Sequence, residues 1–319
     1  MLYVKFVLLP GALSPLMLNK MLTFFSWNIR GLGHTSRCDD VLAELTSTRP
    51  SFVAFQETKL SQLTGVKRNS FLPVRLASCA TVNAEGASGG ILTAWDSTVC
   101  RLESTHARTF SLTTCFHLAA DNTRLTVSNV YAPTISADRP HFFAELSEIS
   151  TLAQGPWIIM GDFNLARFAN DKNTTTFNAF EAGRFNDLIN SLALVEIPLV
   201  DRAYTWSNKR SVPTLVRLDR YFVNTDWEAI FPNTSLASLT RVASDHVPLL
   251  TMAATTIPRG RCFRFENAWL HNRASRTYLG HELALTIPGL VGRGFVRRLK
   301  LCRRACHSWA KAVKPIDQR

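Results

Sequence analysis

A run of four bulky apolar residues, Trp157 to Met160, leads directly into Gly-Asp-Phe-Asn at residues 161–164. Continuous apolar runs of this length, bounded by turn residues, are typical of a strand that is buried on both faces. Because side chains two apart in extended backbone point to the same side, we expect Asp162 and Asn164 to border one small volume. That volume could hold a water molecule or a phosphate. A turn that merely closes the strand is the alternative interpretation.

Other segments of the chain carry strand or helix signals, and many of the strand candidates also end in polar residues. Strands are predicted at 22–27, 52–55, 89–92, 125–130, 157–160, 218–223 and 247–250. Helices are predicted ahead of Pro50 with an apolar face of Val41, Leu42 and Leu45, from Pro140 onward, and over 177–192. The irregular alternation favours stacked sheets flanked by helices over a simple parallel doubly wound sheet.

The length of 319 residues, 46% of them hydrophobic, is enough to bury a full core. We predict one large α/β (α+β) domain over 21–255, an extension outside the fold over 1–20, and a tail over 256–319. Residues 6–9 are apolar and follow Lys5, as in a secretory signal, but Pro10 and Gly11 interrupt that stretch. No apolar segment reaches the roughly 18 residues of a membrane-spanning helix.

Positive charge is concentrated in the tail. Residues 256–319 hold 14 Lys and Arg against 3 Asp and Glu, so +11 of the net +12 lies there. Such a tail favours a polyanionic partner, DNA or RNA first and an anionic membrane second, with a solubilising helix face as the alternative. A heptad spacing predicts a basic helix that packs on its own domain or on a following one; its seam is Phe295, Leu299, Cys302, Cys306, Trp309 and Val313.

The seven cysteines are scattered and contain no Cys-x-x-Cys pair, which indicates a reducing compartment and neither a disulfide framework nor a zinc ribbon. Cys302, Cys306 and His307 could supply part of a zinc site, but a fourth ligand is not evident nearby. We expect a protein that is not secreted and acts in the nucleus, or in the cytoplasm with nuclear entry. The sequence indicates no oligomeric state.

Eight polar residues stand at or beside predicted strand ends, and together they match the needs of phosphodiester hydrolysis. They are Asn28, Glu57, Tyr131, Asp162, Asn164, Asp219, Asp245 and His246. The reaction needs a cation beside the phosphate, a positioned water, a group that takes its proton, and donors for the developing negative charge.

Each need has a candidate. Glu57 is a hard oxygen ligand suited to Mg²⁺, and Asp162 could orient and deprotonate water. His246 could donate to a phosphate oxygen, with Asp219 fixing its tautomer and favouring its charged form. The remaining residues could bind phosphate oxygens or hold Asp162 in place; these are Asn28, which could instead cap the following helix, with Asn164 and Tyr131.

The order of these motifs resembles the endonuclease/exonuclease/phosphatase superfamily, which has the DNase I-like fold. The matching segments are Ser-Trp-Asn-Ile-Arg-Gly-Leu at 26–32, Gln-Glu-Thr at 56–58, Asn-Val-Tyr-Ala-Pro at 129–133, Gly-Asp-Phe-Asn at 161–164, Leu-Asp-Arg at 218–220 and Ser-Asp-His at 244–246. More narrowly, the chain resembles the endonuclease domain of plant LINE-type (non-LTR) retrotransposons. That resemblance rests on Arg-Gly-Leu-Gly at 30–33, Asp-Lys-Asn at 171–173, Tyr-Thr-Trp-Ser-Asn at 204–208 and Phe-Arg-Phe-Glu-Asn-Ala-Trp at 263–269.

The resemblance implies a four-layer sandwich of two packed β-sheets flanked by helices, and hydrolysis that depends on Mg²⁺, with Mn²⁺ as a substitute. It implies that Glu57 binds the metal, that Asp162 is the general base, and that Asp245 belongs to the metal or histidine shell. Asn28 and Asn164 steady the water and phosphate, Asp219 pairs with His246, and Tyr131 contacts the phosphate. From the same motifs we expect DNA contacts from Arg30, Thr205, Ser244 and Arg220.

In retrotransposons of this kind, the endonuclease nicks target DNA and is followed by a reverse transcriptase. No Tyr/Phe-x-Asp-Asp polymerase motif occurs in this sequence, so we expect the endonuclease and linker of a truncated element. Two alternatives remain: a catalytically idle remnant that only binds nucleic acid, and a phosphatase of the same fold.

Overall fold

The computed structural model describes residues 20–256, apart from residue 87 and residues 242–243. The chain divides into two compact units, Met1–Ile257 and Pro258–Arg319. The predictions for the N-terminal extension up to residue 19, the basic tail, its heptad seam and the cysteine-histidine cluster lie outside the described residues.

The described residues form fourteen strands and five helices, with three short 3-10 turns. The strands are β1 (Met21–Asn28), β2 (Phe52–Gln56), β3 (Ser78–Glu85), β4 (Ser88–Trp95), β5 (Cys100–Ala107), β6 (Ser111–Leu118), β7 (Arg124–Tyr131), β8 (Trp157–Asp162), β9 (Val195–Glu196), β10 (Trp206–Ser207), β11 (Leu215–Val216), β12 (Asp219–Val223), β13 (Asn233–Ser238) and β14 (Leu249–Ala254). The helices are α1 (Thr35–Thr48), α2 (Gly65–Asn69), α3 (Arg139–Ser150), α4 (Ala179–Ser191) and α5 (Thr225–Ile230), and the turns span Val74–Leu76, Ser136–Asp138 and Ala169–Asp171.

Twelve strands build two six-stranded sheets. The first sheet has the order β13-β14-β1-β2-β4-β3 and the second has the order β5-β6-β7-β8-β12-β9, while β10 and β11 form a separate small hairpin. Each large sheet is mixed: β1 and β2 are parallel, as are β7 and β8, and the remaining pairs are antiparallel. Because β1 and β8 are central strands, the residues at their carboxyl ends, Asn28 and Asp162, are buried.

Alternation along β1 shows how the layers are built. Phe24 packs into the core between the two sheets, whereas Phe25 packs into a second core on the outer face of the first sheet. Successive strand residues point to opposite faces, so one apolar strand can serve both cores. The ring of Phe24 stacks on that of Phe52 from β2, with centroids 4.8 Å apart.

Helices cover the outer faces. On the first sheet, α1 buries Cys38, Val41 and Leu45, which recur at helical spacing and lie in the same core as Phe25. The helix ends where Arg49 adopts a left-handed conformation and donates its N–H to the carbonyl of Leu45. On the second sheet, α3 and α4 contribute to a third core. The architecture is therefore helix, sheet, sheet, helix, which confirms the predicted DNase I-like sandwich.

The strands predicted from the sequence all coincide with or overlap observed strands, and the three predicted helices correspond to α1, α3 and α4. One detail was wrong: Leu42 is only partly buried, and Cys38 takes its place in the buried face of α1. Within the described residues, no helix has the length and apolar character needed to cross a bilayer.

Candidate active site

The candidate site forms where the inner faces of the two sheets change from apolar to polar. Phe24 and Met160 lie in the core between the sheets, and Asn28 and Asp162 follow on the same faces at the ends of β1 and β8. The Asn28 amide donates a hydrogen bond of 2.8 Å to Oδ2 of Asp162, which joins the two sheets at this end. We call this end of the sandwich the polar end.

Three side chains lie side by side across the second sheet at the polar end. Tyr131 of β7 and Asp219 of β12 are both register partners of Asp162 on β8, one on each side. Register partners on adjacent strands point to the same face of a sheet. Strand pairing therefore brings together three residues that are distant in the sequence.

Asp162 is only 1% exposed. Its Oδ1 accepts the backbone N–H of Asn164 at 3.0 Å, and its Oδ2 accepts the Asn28 amide. Burial raises the pKa of Asp162 to about 6, although the charge of His246 and these hydrogen bonds act in the opposite direction. The carboxylate is thus fixed in orientation and more basic than an exposed aspartate.

His246 is held between two carboxylates. Its Nδ1 lies 3.0 and 2.9 Å from the two carboxylate oxygens of Asp219, and its Nε2 lies 3.7 Å from Oδ2 of Asp162. Burial alone would lower the pKa of His246, but the charges of Asp219 and Asp162 outweigh it and raise the pKa to about 9. The two carboxylates therefore favour the protonated imidazole, and its Nε2 faces Asp162.

Glu57, Asp245 and Arg30 form a second cluster at the polar end. The Arg30 guanidinium donates to both oxygens of Glu57 at 3.1 and 3.2 Å and to both oxygens of Asp245 at 2.7 to 3.1 Å. Burial would raise the pKa of Asp245, but hydrogen bonds from Arg30 and Trp206 and the charge of His246 hold it below its usual range.

Tyr131 belongs to the same cluster. Its hydroxyl donates to Oε1 of Glu57 at 2.9 Å. Burial and the negative charge of Glu57 raise the pKa of the Tyr131 phenol well above its usual value. The phenol is therefore a neutral hydrogen-bond donor at any physiological pH.

The backbone at the polar end is unusual, because three non-glycine residues adopt left-handed conformations. The φ angles are 56° at Arg30, 52° at Glu57 and 49° at Asn164, and such conformations cluster at functional sites. The expectation that Asn164 continues an extended strand was wrong. The chain turns after Asp162, and the Asn164 amide instead donates to the carbonyl of Ala132 at 2.8 Å.

Two groups could be considered for a metal ion. Ligand atoms of Asp162, Asp219 and His246 all lie within 4.8 Å of one another, but the two carboxylates favour the protonated imidazole, and a protonated ring nitrogen cannot bind a metal. Glu57 and Asp245 offer only oxygen, the donor that Mg²⁺ prefers, and they already share one cationic partner in Arg30. Their chemistry fits a divalent cation.

The sequence profile of the Endonuclease/Exonuclease/phosphatase family matches residues 25–246, a range that includes both clusters. This chain belongs to the endonuclease/exonuclease/phosphatase family. Among proteins of curated function, none matches the sequence.

Several solved structures share the family fold. An AP endonuclease from Leishmania major superposes with a TM-score of 0.59 at 18% identity, covering 73% of this chain and 87% of that one. A 3'-5' exonuclease from Neisseria meningitidis gives 0.57 at 16% identity, covering 72% and 98%. The endonuclease domain of TRAS1, a telomere-specific non-LTR retrotransposon, gives 0.56 at 12% identity, covering 72% and 97%. At these identities the likeness shows the fold.

Three of the four residues expected to contact DNA are buried, namely Thr205, Ser244 and Arg220. The expectation of DNA contacts was wrong for these three. Arg220 is 1% exposed and forms ion pairs with Asp171 and Glu196. Arg220 follows Asp219 on β12, and adjacent strand residues point to opposite faces, which turns it away from the polar end.

Thr205 and Ser244 are also buried. The Thr205 hydroxyl accepts the backbone N–H groups of Leu218 and Asp219 at 3.1 and 3.0 Å. The Ser244 hydroxyl donates to the carbonyl of Asn28 at 2.8 Å and accepts the N–H of His246 at 3.1 Å. Both hydroxyls therefore position catalytic candidates. Arg30, whose side chain is 41% exposed, is the member of the set with access to solvent.

Sequence reasoning missed three contributors, which are Trp206 and the pair formed by Gln56 and Asn129. Trp206 donates its indole N–H to Oδ2 of Asp245 at 2.9 Å, and its place in the Tyr-Thr-Trp-Ser-Asn motif was the available signal. Beneath the site, Gln56 of the first sheet donates to Oδ1 of Asn129 of the second sheet at 2.7 Å. Gln56 immediately precedes Glu57 and Asn129 lies two residues before Tyr131, so this tie supports both. The sequence feature that could have identified this pair is that each is a polar residue in a largely apolar strand, Gln56 in β2 and Asn129 in β7.

Proposed function

We propose that this protein is a divalent-metal-dependent phosphodiester hydrolase that nicks DNA, in the manner of a retrotransposon endonuclease. The observation that carries the proposal is the buried Asp162 carboxylate, oriented by Asn28 and adjacent to the charged His246–Asp219 pair. A buried carboxylate whose pKa is raised, beside a buried imidazole whose pKa is also raised, is an arrangement typical of functional sites.

Asp162 acts as the general base. Each of its oxygens accepts one hydrogen bond in this structure, and a carboxylate oxygen can accept more than one. A water beside Asp162 would therefore be held by the carboxylate and transfer its proton to it during attack on phosphorus. The pKa of about 6 makes Asp162 a stronger base than an exposed aspartate while leaving it ionised at neutral pH.

His246 supplies positive charge to the phosphate. Its Nε2–H donates to a non-bridging oxygen, and Asp219 keeps the ring charged and oriented through Nδ1. A donor aimed where negative charge develops stabilises the transition state more than the ground state. Asn28, Asn164 and Tyr131 are the neutral residues that hold Asp162 and the phosphate.

Glu57 and Asp245 would hold the cation, Mg²⁺ or in its place Mn²⁺. A divalent cation there would polarise the phosphate and offset charge on the leaving oxygen. Both carboxylates have neutral partners that keep them in place, Tyr131 for Glu57 and Trp206 for Asp245.

DNA is the proposed substrate, and the motifs shared with plant LINE-type endonucleases support this assignment, as does the fold shared with the TRAS1 domain. The basic tail would add affinity for DNA or RNA through counterion release. A nuclear site of action, or entry into the nucleus from the cytoplasm, follows from this substrate.

Substrate class is tested by offering supercoiled plasmid, single-stranded oligonucleotide and a soluble phosphate monoester to the full chain, with Mg²⁺ and with EDTA. We expect conversion of supercoiled to open-circular plasmid in Mg²⁺ and none in EDTA. Hydrolysis of the monoester without nicking would indicate a phosphatase. Plasmid retention on a filter with no cleavage of any substrate would indicate a protein that only binds nucleic acid.

A further inference from the structure

The Arg30 guanidinium has an arrangement that the proposed reaction does not explain. It is the shared cationic partner of Glu57 and Asp245, with hydrogen bonds of 2.7 to 3.2 Å to all four carboxylate oxygens. Guanidinium forks match carboxylates in geometry and charge, and such charge-assisted bonds are the stronger kind. Two carboxylates suited to a divalent cation therefore already share a monovalent one.

We propose that Arg30 is a built-in competitor of the divalent metal: its guanidinium occupies the cation position between Glu57 and Asp245 and must leave when the metal binds. The inference rests on the proposed function only in taking these two carboxylates as the metal ligands. It assigns Arg30 a role in setting metal affinity, in place of the DNA contact expected from the sequence.

The backbone around Arg30 is anchored independently of its side chain. The N–H groups of Gly31 and Leu32 donate to the carbonyls of Glu57 and Thr58 at 2.7 and 2.9 Å. Arg37 donates to the carbonyl of Arg30 at 3.1 Å. The Arg30 side chain is 41% exposed, so it can turn towards solvent by changing side-chain torsions while the loop stays in place.

The two carboxylates also stay in place without Arg30. Glu57 keeps the hydrogen bond from the Tyr131 hydroxyl at 2.9 Å, and Asp245 keeps the one from the Trp206 indole at 2.9 Å. Removal of the guanidinium therefore leaves two oriented carboxylates with unbalanced negative charge. A divalent cation neutralises both, whereas Arg30 contributes a single charge.

Competition of this kind lowers the apparent metal affinity by the fraction of protein in which the guanidinium has moved away. We expect Arg30→Met to bind Mn²⁺ on the order of tenfold more tightly than the wild type, measured on the full chain by calorimetry or by the loss of free Mn²⁺ signal in electron paramagnetic resonance. Arg30→Lys keeps the charge but lacks the fork, and we expect an intermediate affinity.

The matched control is Arg101→Met, which removes the same charge elsewhere. Arg101 is exposed on β5, and strand register places it at the opposite end of the sandwich from Tyr131. Its Mn²⁺ affinity should equal that of the wild type. An unchanged or weaker Mn²⁺ affinity in Arg30→Met overturns the inference. An Arg30→Lys affinity for Mn²⁺ equal to that of the wild type also overturns it, because a positive charge alone would then explain the competition without the guanidinium fork.

A direct readout needs no substitution in the measured protein. The Nε–H of Arg30 donates to Asp245, so its ¹⁵N-correlated resonance, assigned with Arg30→Lys, should be slow to exchange in EDTA. Mg²⁺ should shift it and accelerate its exchange. If Mg²⁺ leaves this resonance unchanged, the inference is overturned. Because the measured protein is the wild type, this result decides the matter even if Arg30→Met does not fold.

Parallel plasmid assays separate this inference from the proposed function. Nicking by the wild type with no effect of Arg30 on Mn²⁺ affinity removes the inference alone. Tighter Mn²⁺ binding by Arg30→Met in a protein that nicks nothing leaves the competition in place and removes the nuclease.

Discussion

His246 shows how strongly neighbouring residues determine chemistry at the polar end. An imidazole buried alone would be neutral, because burial disfavours its charge, yet Asp219 and Asp162 raise its pKa to about 9. Asp162 in turn is buried and basic, but His246 keeps it from becoming a neutral acid. Each group keeps the other in its charged form, which is the pairing that a base and a phosphate-binding cation require.

Titration of His246 tests this dependence directly. In protein with EDTA, we expect the wild-type ring to titrate with a pKa of about 9, followed by ¹³C or ¹⁵N NMR. Asp219→Asn removes the carboxylate at Nδ1, so the pKa should fall. Because the pKa of His246 is raised in the folded state, its protonation stabilises the protein fully at pH below the unfolded-state pKa. That contribution is lost as the pH rises through the folded-state pKa. An equal pKa in both proteins would show that Asp219 does not set the charge.

The pH dependence of nicking should be bell-shaped. Activity should rise with pH as Asp162 loses its proton, which its pKa of about 6 places on the acid side, and fall as His246 loses its proton at its pKa of about 9. A bound divalent cation would move the acid limb to lower pH, because it favours the carboxylate. A rate that rises continuously from about pH 7 to about pH 10 would exclude a catalytic role for the His246 cation.

At the scale of elements, the strands that carry the site are predictable because local sequence encodes them. Apolar runs that stop at a polar residue indicate β1, β2, β7 and β8, and their parallel pairing gathers those ends. Sequence reasoning missed β5 and β6, because β5 intersperses charged and polar residues among isolated apolar ones and β6 is rich in Ser and Thr, so that neither contains a long continuous apolar run.

The errors in the predicted site have a physical cause. The prediction for Arg220 rests on its place next to Asp219, but strand alternation directs the two side chains to opposite faces. The predictions for Thr205 and Ser244 rest on motifs, and only the folded structure shows that their hydroxyls bind backbone groups. Long-range partnerships such as Gln56 with Asn129 depend on how the sheets stack, which no local pattern reports.

The junction of β8 with β7 supplies a test at this scale. Gly161 has a φ of 146°, and a Cβ at this position would clash with the backbone carbonyl of Val130. Gly161→Ala should therefore destabilise the protein by about 3 kcal/mol or more, because backbone must move. The control is Gly183→Ala within α4, where a Cβ meets nothing within 4 Å; it should stabilise by about 0.5 kcal/mol. Equal urea midpoints for the two variants would contradict this explanation.

At the scale of the whole molecule, the domain and the tail differ in net charge. The residues up to 255 are almost neutral, with 22 Lys and Arg against 21 Asp and Glu, whereas residues 256–319 carry most of the net charge of +12. Without the tail, a nearly neutral domain with an acidic site should have little electrostatic affinity for nucleic acid. The tail is therefore the expected source of electrostatic affinity for nucleic acid.

Salt dependence tests the role of the tail. Deleting residues 256–319 should weaken DNA binding and flatten the plot of log affinity against log salt, by about 0.9 for each phosphate that the tail neutralises. Fluorescence anisotropy of a labelled duplex at several salt concentrations measures the slope. A slope that deletion leaves unchanged would mean that the tail does not bind phosphate.

The central claim is that Asp162 takes the proton from the attacking water, and the initial rate of plasmid nicking in Mg²⁺ tests it most directly. Asp162→Asn preserves shape and removes the base, while Asp187→Asn makes the same change on the exposed face of α4. We expect Asp162→Asn to nick about 10²- to 10⁴-fold more slowly than the wild type and Asp187→Asn to match it. Nicking by Asp162→Asn at the wild-type rate would contradict the claim.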